Sequence, residues 1–427
     1  MPSLLIQGGR VLSPADGLDG LLDVFVEDGL IRQIAPNLNA RADKVIDARG
    51  QVVAPGLVDI HVHMREPGGE ISETLATGLS AAAAGGFTTV CPMPNTSPVN
   101  DCAESTRTIL ARAAQLGLSR VCPIAAVSPG SSGEELTDFR ALVAAGAVAF
   151  SDDGRPVRTA GLMRRALETA RELGVPVIEH CEDPSLSAGG VVNEGLVAEK
   201  LGTRGIPNSS EEVCLARDLV LAQASGAHLH VAHLSTAGSV DLVRSARQRG
   251  VHVTAEVTPH HFALTDEAVL QYGTAAKMNP PLRSARDVDA VVGGLADGTI
   301  DAIATDHAPH APELKAKPLA AAPFGVIGLE TSLALAMTLL VHTGRLSLGR
   351  LVTLVSTNPA QIINRPLGHL SVGSTADITI FNPDLEWTYR VEQSRSKSRN
   401  SPFDGWKLKG GVTATVVAGR VVYTRED

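Results

Sequence analysis

Two histidines separated by one residue carry the strongest chemical signal in this sequence, in the run Asp59-Ile60-His61-Val62-His63-Met64-Arg65. Alternate residues of a β-strand point to the same face, so Asp59, His61 and His63 are expected to project together. Two imidazoles on one face, at the carboxyl end of a barrel strand, would supply half of a zinc site. The alternative is a pair of solvent-exposed strand histidines. The adjoining Pro55-Gly56, Asp59 and Arg65 favour the metal site.

Further residues of metal-ligating types stand at the ends of later predicted strands. Taken alone, each such residue is more commonly a structural hydrogen-bonding group. The carboxyl ends of barrel strands converge on one mouth, however, so these side chains are expected to meet. Four histidines and two aspartates there would suit two zinc ions, which need a shared anionic bridge and several further ligands. The later residues are Asp152 and Asp153 after the fourth strand, His180 on the fifth, His233 after the sixth and Asp306 after the last.

The elements that must position these residues alternate regularly along the chain. Short apolar strands are separated by alanine-rich helical stretches, which predicts an α/β fold with a (β/α)8 barrel. The alternative is an open, doubly wound sheet, but no G-x-G-x-x-G or Walker sequence follows the first strand. The predicted strands are residues 57–60, 88–91, 121–125, 147–150, 177–179, 229–231, 251–256 and 300–304.

Both ends of the chain have a different, β-rich character. Strands are predicted at 4–6, 23–26 and 30–34, with an Asp28-Gly29 hairpin turn, and again at 376–381 and 412–417. We therefore predict three consecutive parts of the chain. Residues 1–54 and 366–427 form one small β-sandwich domain, and residues 55–365 form the metal-dependent barrel.

Two segments are predicted to contain loops. The segment between Pro259 and Gly298 is interpreted as a long insertion after the seventh strand, and its Pro280-Pro281 pair indicates a rigid loop over the barrel mouth. The polar, basic stretch 394–402 is interpreted as a solvated loop.

Composition and charge exclude several classes of protein. With 37 Lys and Arg against 46 Asp and Glu, the net charge of −9 does not attract nucleic acid or an anionic membrane. An anionic substrate would therefore need local positive charges. The sequence has no apolar run of about 18 residues, the length of a membrane span, and its start lacks the pattern of a signal peptide. Five cysteines without a Cys-x-x-Cys pair favour reduced thiols and a cytoplasmic location.

The sequence closely resembles the class I bacterial dihydroorotases of the amidohydrolase superfamily. The resemblance runs from Ile6 to the final predicted strand, which is essentially the whole chain. The motifs that carry it are PGLVDIHVHMREPG at 55–68, MPNT at 93–96, SDDG at 151–154, KMNPPLR at 277–283, ATDHAPH at 304–310 and PFGVIGLE at 323–330.

This resemblance implies two zinc ions per chain, bridged by an aspartate and by a hydroxide or water. The related hydantoinases use a carboxylated lysine as the bridge, and the SDDG motif contains no lysine. Spacing does not choose between Asp152 and Asp153; the family match selects Asp153. The implied ligands are His61, His63 and Asp306 for one ion, His180 and His233 for the other, and Asp153 for both.

The implied activity is zinc-dependent, reversible cyclisation of N-carbamoyl-L-aspartate to L-dihydroorotate and water, the third step of de novo pyrimidine (UMP) biosynthesis. Asp306 would take the proton of the attacking hydroxide and deliver it to the leaving ring nitrogen. Arg65 would hold the substrate carboxylate through bidentate, charge-assisted bonds. The implied substrate-binding residues are His63, Arg65, Asn95, Asn279, His310 and the backbone of Phe324 and Gly325.

Two other functions compete with this one. Another cyclic amidohydrolase, such as a hydantoinase or allantoinase, would share the barrel and metals, but the missing lysine and the Arg65, Asn95 and His310 clamp argue against it. An inactive dihydroorotase-like scaffold for aspartate transcarbamoylase would be expected to have lost metal ligands, and all six are present. The expected partner is a small-molecule substrate, with no nucleic acid and no membrane. A homodimer and an association with aspartate transcarbamoylase both stay open.

Overall fold

The computed structural model describes residues 3–426, and the first element of this range is a strand of a β-sheet. Strand β1 pairs antiparallel with β2, and on its other edge it pairs parallel first with β4 and then with β5. The fork lies at Gly8 and Gly9: φ of Gly8 is +71°, and a Cβ on Gly9 would come within 2.5 Å of Val53. These strands are β1 (Leu4–Ser13), β2 (Leu18–Glu27), β3 (Leu30–Ala35), β4 (Lys44–Asp47) and β5 (Val52–Pro55).

The barrel strands come next in the chain. They are β6 (Leu57–Val62), β7 (Phe87–Pro92), β8 (Arg120–Val121), β9 (Ile124–Ala125), β10 (Ala149–Phe150), β11 (Val177–Glu179), β14 (Leu229–Val231), β15 (Val253–Val257) and β16 (Ala302–Ile303), while β12 (Val192–Asn193) and β13 (Gly205–Ile206) form a separate ribbon. β8 pairs with β7 and β9 pairs with β10, so these two are halves of one barrel strand, separated at Pro123, which has no N–H to donate. The circle closes where Val62 forms a parallel bridge with His307. The predicted eight-stranded barrel is confirmed.

Helices separate the barrel strands and bury their outer faces in a large aliphatic cluster. Glycines end many of them, as predicted for Gly85 and Gly174; the latter has φ +67°, a left-handed cap. The helices are α1 (Leu75–Ala84), α2 (Ala103–Leu116), α3 (Phe139–Ala145), α4 (Ala160–Leu173), α5 (Pro184–Ser187), α6 (Leu196–Leu201), α7 (Asn208–Ser225), α8 (Ala237–Gln248), α9 (Pro259–Ala263), α10 (Ala268–Tyr272), α11 (Ala285–Asp297), α12 (Pro312–Lys315), α13 (Ser332–Ala336), α14 (Leu348–Val352) and α15 (Asn358–Ile362).

The C-terminal strands return to the first sheet. β17 (Ile378–Thr388), β18 (Lys407–Val417) and β19 (Arg420–Thr424) extend it antiparallel, and β17 pairs with β5 at Thr379 and Ala54. The order β19-β18-β17-β5-β1-β2-β3 therefore unites both chain ends, as predicted. Its own apolar core contains Ile6 and Val24 from one end and Ile378 and Val416 from the other.

The segment between Pro259 and Gly298 contains α9, α10 and the barrel helix α11, with non-helical stretches at 264–267 and 277–284. The Pro280-Pro281 pair lies in the second stretch, so the loop predicted there is present. The interpretation of the second segment is wrong. The stretch 394–402 is not a solvated loop, because Ser396, Ser398 and Asn400 are buried. The side chains of these three residues form hydrogen bonds inside the protein, and the basic side chains between them face outward. The polar composition of the stretch therefore did not mean that all of its side chains are exposed to solvent.

Among residues 3–426, no helix is long and apolar enough to cross a membrane.

Candidate active site

The residues predicted to do chemistry meet just beyond the carboxyl ends of the barrel strands. Three of them, Arg65, His233 and Asp306, have φ angles of +57°, +30° and +45°. Such left-handed backbone is uncommon for residues other than glycine, and it concentrates at functional sites. The strand alternation has ended at these positions, so the local backbone sets where each side chain points.

His61 and His63 extend from β6 toward Asp306. The Asp306 Oδ1 lies 3.0 Å from His63 Nε2 and 3.6 Å from His61 Nε2. The expectation that Asp59 joins them is wrong: its Oδ1 accepts from the backbone N–H of His61 at 3.1 Å and of Thr305 at 3.2 Å. A register shift between Asp59 and Val62 separates the aspartate from the two rings.

Asp153 is the centre of the cluster. Its Oδ1 lies 3.4 Å from His61 Nε2, 3.7 Å from His180 Nδ1 and 3.6 Å from His233 Nε2. Its Oδ2 lies 3.5 Å from His63 Nε2. One carboxylate thus lies within 3.7 Å of four imidazole nitrogens.

The neighbouring Asp152 points elsewhere. It accepts a hydrogen bond from the backbone N–H of Ser128 at 3.1 Å and another from the Ser128 hydroxyl. Burial raises the pKa of Asp152, and these hydrogen bonds oppose the shift. The geometry therefore distinguishes the two aspartates that spacing alone left equivalent.

The charges of the cluster fit a bound metal. Burial alone would raise the pKa of Asp153, but the His61 ring outweighs it and holds the pKa well below its usual range. Conversely, Asp153, Glu256 and Asp306 outweigh burial and raise the pKa of His61 well above its ordinary value. His61 Nε2 and Asp153 Oδ1 are buried without a hydrogen-bond partner in residues 3–426. Imidazole nitrogens and carboxylate oxygens are ligands that zinc accepts.

Two glutamates that sequence reasoning missed orient the histidine rings. Glu256, on β15, lies 2.7 Å from His61 Nδ1 through Oε1 and 3.1 Å from His230 Nε2 through Oε2. Glu182 lies 2.9 Å from His180 Nε2 and accepts from Asn279 Nδ2 at 2.6 Å. A carboxylate within an otherwise uncharged barrel strand was the only sequence signal for Glu256.

A cavity of about 310 Å³ opens above the cluster. All the predicted metal and substrate residues line it except His61, which is fully buried below. The lining residues are His63, Arg65, Asn95, Asp153, Gly154, His180, His233, Asn279, Asp306, Ala308, His310, Pro323, Phe324 and Gly325.

The predicted clamp residues are held in specific orientations. Asn95 Oδ1 lies 2.9 Å from His63 Nδ1, so the ring donates there and the Asn95 amide N–H₂ is left for other acceptors. Arg65 Nε donates to the Pro309 carbonyl at 3.1 Å. His310 Nε2 lies 2.6 Å from the Phe324 carbonyl and must donate to it. The 3.4 Å approach of Arg65 Nη2 to that same nitrogen is therefore a contact between two donors.

The buried stretch 394–402 supports this wall of the cavity. Asn400 Nδ2 donates to the carbonyls of Ala308 at 2.9 Å and Gly325 at 3.0 Å, while its Oδ1 accepts from His310 N–H at 3.1 Å. Gly325 has φ +130°, and a Cβ there would come within 2.6 Å of the Ala308 Cβ. Glycine is therefore required at position 325, where the backbone packs against Ala308.

Comparison with known proteins gives consistent results. A family model described as dihydro-orotase-like matches residues 50–239. The chain is 54% identical over 419 residues to a protein named dihydroorotase from Pelotomaculum thermopropionicum, covering 98% of each. It is 51% identical over 424 residues to another of that name from Solibacter usitatus, covering 99% of each.

Solved structures share the architecture at lower identity. The L-hydantoinase (dihydropyrimidinase) from Arthrobacter aurescens superimposes with a TM-score of 0.90 at 29% identity, covering 100% of this chain and 97% of that one. A D-hydantoinase (dihydropyrimidinase) from Thermus sp. gives 0.83 at 28% identity, covering 99% and 97%. The barrel with its β-sandwich is thus common to cyclic amide hydrolases.

Proposed function

This chain belongs to the dihydroorotase family of the amidohydrolase superfamily, and from that membership we propose that the cavity at the barrel mouth is where its cyclic amide hydrolase reaction occurs. Two relatives named dihydroorotase share about half of their residues with this chain over nearly its whole length. This similarity supports dihydroorotase activity for this protein. The single observation that supports this location is the position of Asp153 among four histidine rings, directly below a cavity that contains Arg65.

We propose two zinc ions as the cofactor. Support comes from the partnerless His61 and Asp153 atoms and from the six buried ligands. Bound zinc would supply activated water near neutral pH and polarise the amide carbonyl. The proposed ligands are His61, His63 and Asp306 for one ion, His180 and His233 for the other, and Asp153 for both.

The chain's own groups would bind and orient the substrate. Arg65 and the free amide of Asn95 lie on one side of the cavity, where they would hold the carboxylate. His310 would join them by turning its Nε2 proton from the Phe324 carbonyl to the substrate. Asn279 and the backbone of Phe324 and Gly325 would contact the pyrimidine edge. Asp306 would accept the proton of the attacking water and pass it to the leaving ring nitrogen.

A substrate comparison tests this function. Zinc-loaded protein is expected to open L-dihydroorotate and to close N-carbamoyl-L-aspartate. Dihydrouracil and hydantoin lack the carboxylate and should react at least about 10²-fold more slowly, because they leave the buried clamp unpaired. Preferred turnover of hydantoin would instead support the hydantoinase alternative, and no turnover of any of them would support an inactive scaffold.

The cell biology of the protein is a further proposal. Net cyclisation would place it in pyrimidine biosynthesis, and five free cysteines suit the reducing cytoplasm. Size-exclusion chromatography, with and without aspartate transcarbamoylase, tests the homodimer and the complex.

Substitution of Arg65 by lysine is expected to lower kcat/KM for dihydroorotate about 10- to 100-fold, because one charge-assisted hydrogen bond and the planar fork are lost while the charge remains. Zinc content should not change. Steady-state kinetics with metal analysis measure both. Arg112→Lys is the matched control, since Arg112 pairs with Glu66 and is half exposed, outside the cavity lining. Wild-type kinetics in Arg65→Lys would remove Arg65 from the clamp.

Substitution of Glu256 by glutamine is expected to weaken zinc binding about 10- to 100-fold, because a carboxylate acceptor on His61 Nδ1 makes the other ring nitrogen a better ligand. Competition with a chromogenic chelator measures the affinity. Glu211→Gln is the control: Glu211 is also buried and accepts hydrogen bonds from Ser235, but it is not paired with a proposed ligand. If both variants bind zinc equally, Glu256 has no special role.

A further inference from the structure

Two buried lysines lie behind one wall of the cavity. Lys277 and Lys315 are only 2% and 7% exposed. Lys277 Nζ donates to the carbonyls of Leu319 at 2.7 Å and Ala322 at 2.6 Å. Lys277 therefore interacts with the segment 319–325, whose last three residues line the cavity.

Lys315 holds the cavity-lining end of the same segment. Its Nζ donates to the carbonyls of Pro323 and Gly325, both at 3.0 Å, and to that of Lys277 at 3.3 Å. The backbone N–H of Gly325 returns a hydrogen bond to the Lys277 carbonyl at 2.9 Å. Lys277 Nζ also stands 4.3 Å from the centre of the Phe324 ring. The two ammonium groups thus contact the backbone of segment 319–325, next to and including the residues that form the cavity wall.

Neither ammonium group is neutralised by a carboxylate. Among the ion pairs of residues 3–426, none within 4.0 Å involves Lys277 or Lys315. Their hydrogen-bond acceptors are neutral carbonyls, which solvate the charge without cancelling it. Burial is costly for such a group, so two of them side by side, in a protein of net charge −9, are unusual.

The two substrates of the reaction differ by one negative charge. N-carbamoyl-L-aspartate has two carboxylates, whereas dihydroorotate has one, because ring closure consumes the other together with one proton and releases water. A positive charge beside the cavity attracts the dianion more strongly than the monoanion. Burial limits screening by solvent and salt, so this preference persists at physiological ionic strength.

We propose that Lys277 and Lys315 are specificity-determining residues that favour binding of the dianionic, open-chain substrate through uncompensated positive charge while their hydrogen bonds hold the Phe324–Gly325 wall in place. This inference rests on the proposed function of the cavity. Neither lysine lines the cavity, so both act through the wall.

The test compares Michaelis constants in the two directions. Lys315→Gln removes the charge and keeps N–H donors for the carbonyls. The ratio of KM for N-carbamoyl-L-aspartate to KM for dihydroorotate is expected to rise about 5- to 15-fold, the effect of one charge on another over about 10 Å at an effective dielectric constant of about 20–40. Burial and the charge of Lys277 lower the pKa of Lys315 to about 7, so the assays are run at about pH 6, where Lys315 is charged.

A matched control and an internal check accompany the variant. Lys317→Gln removes the same charge from an exposed position two residues away and should change the ratio less than about twofold, since solvent screens it. Lys315→Gln cannot alter the reaction equilibrium. In that variant, the ratio of kcat for cyclisation to kcat for hydrolysis must therefore rise by the same factor as the KM ratio. Lys277→Gln should act in the same direction, and it replaces Lys315→Gln if that variant does not fold.

The outcomes separate the inference from the proposed function. The inference is supported if the KM ratio rises in Lys315→Gln and changes less than about twofold in Lys317→Gln. An unchanged ratio, or an equal rise in both Michaelis constants, would overturn it and leave the lysines a purely structural role. A zinc-loaded wild-type protein that turns over neither substrate would instead contradict the proposed function.

Discussion

Substitution of Asp306 by asparagine is expected to reduce dihydroorotate hydrolysis by about 10²- to 10⁴-fold while the fold and at least one zinc ion are retained. Asparagine is nearly the same size and can still offer an oxygen to a metal, but it cannot accept and release a proton. It also suits the backbone, because Asp306 has φ +45° and asparagine adopts left-handed conformations readily. The loss would therefore measure proton transfer rather than misfolding.

The pH dependence gives this prediction a second readout. Burial would raise the pKa of Asp306, but His61 and His63 outweigh it, and the net pKa lies below its ordinary value. The carboxylate thus stays ionised at neutral pH, as hydrolysis requires. Cyclisation needs the protonated form, so in the wild type it should decline as pH rises. Because cyclisation of the dianion consumes one proton, the ratio of kcat/KM between the two directions changes with pH in every variant. Asp306→Asn should instead remove the titration of Asp306 from the pH profile of each direction.

Rates in both directions and metal content are measured on the same samples. Asp289→Asn is the control, because Asp289 is an exposed carboxylate paired with Arg345 on the surface. An Asp306→Asn protein that retains metal and turns over at nearly the wild-type rate would assign the proton shuttle elsewhere. His310, which lines the same cavity, is then the next candidate.

Removal of zinc by a chelator is expected to abolish turnover, and added zinc should restore it, with about two ions bound per fully loaded chain. Without a cation, the buried Asp153 and Asp306 carboxylates help to raise the pKa of His61 well above its ordinary value, which favours a proton on that ring. A ring proton competes with metal, so zinc should bind more tightly as pH rises. Elemental analysis alongside the hydrolysis assay measures loading and activity together.

A stability measurement provides the matching control. Zinc that binds only the folded chain should raise the unfolding temperature, and the chelated protein should lose that increment without losing its secondary structure. Full activity in a preparation shown to be free of metal would contradict the binuclear site.

Much of the fold could be predicted because its signals are local. The strand at 177–179, for example, was predicted at the bounds that β11 has, since apolar runs between helices and glycine caps mark such elements. His61 and His63 share a face because alternation in a strand is a property of the backbone. The mouth itself was also predictable, because parallel strands of a barrel all end at one rim.

Other features depend on residues far apart in the chain. Asp152 and Asp153 are neighbours of one type, and only the packing of Ser128 against one of them leaves the other to the histidines. Asp59 follows the same alternation as His61 in the sequence, yet a register shift in the barrel turns it to backbone amides. Sequence periodicity contains no information on such shifts.

The sequence by itself determined the barrel, the meeting of the chain ends and the residue types at the mouth, because each follows from backbone geometry over a few residues. The tertiary structure alone decided that Glu256 orients His61, that Asn400 braces the cavity wall and that two lysines stand behind it. A buried polar group must find its partners wherever the fold places them. Those partners here lie from 8 to 195 residues away, beyond the reach of the strand and helix periodicities that sequence reasoning uses.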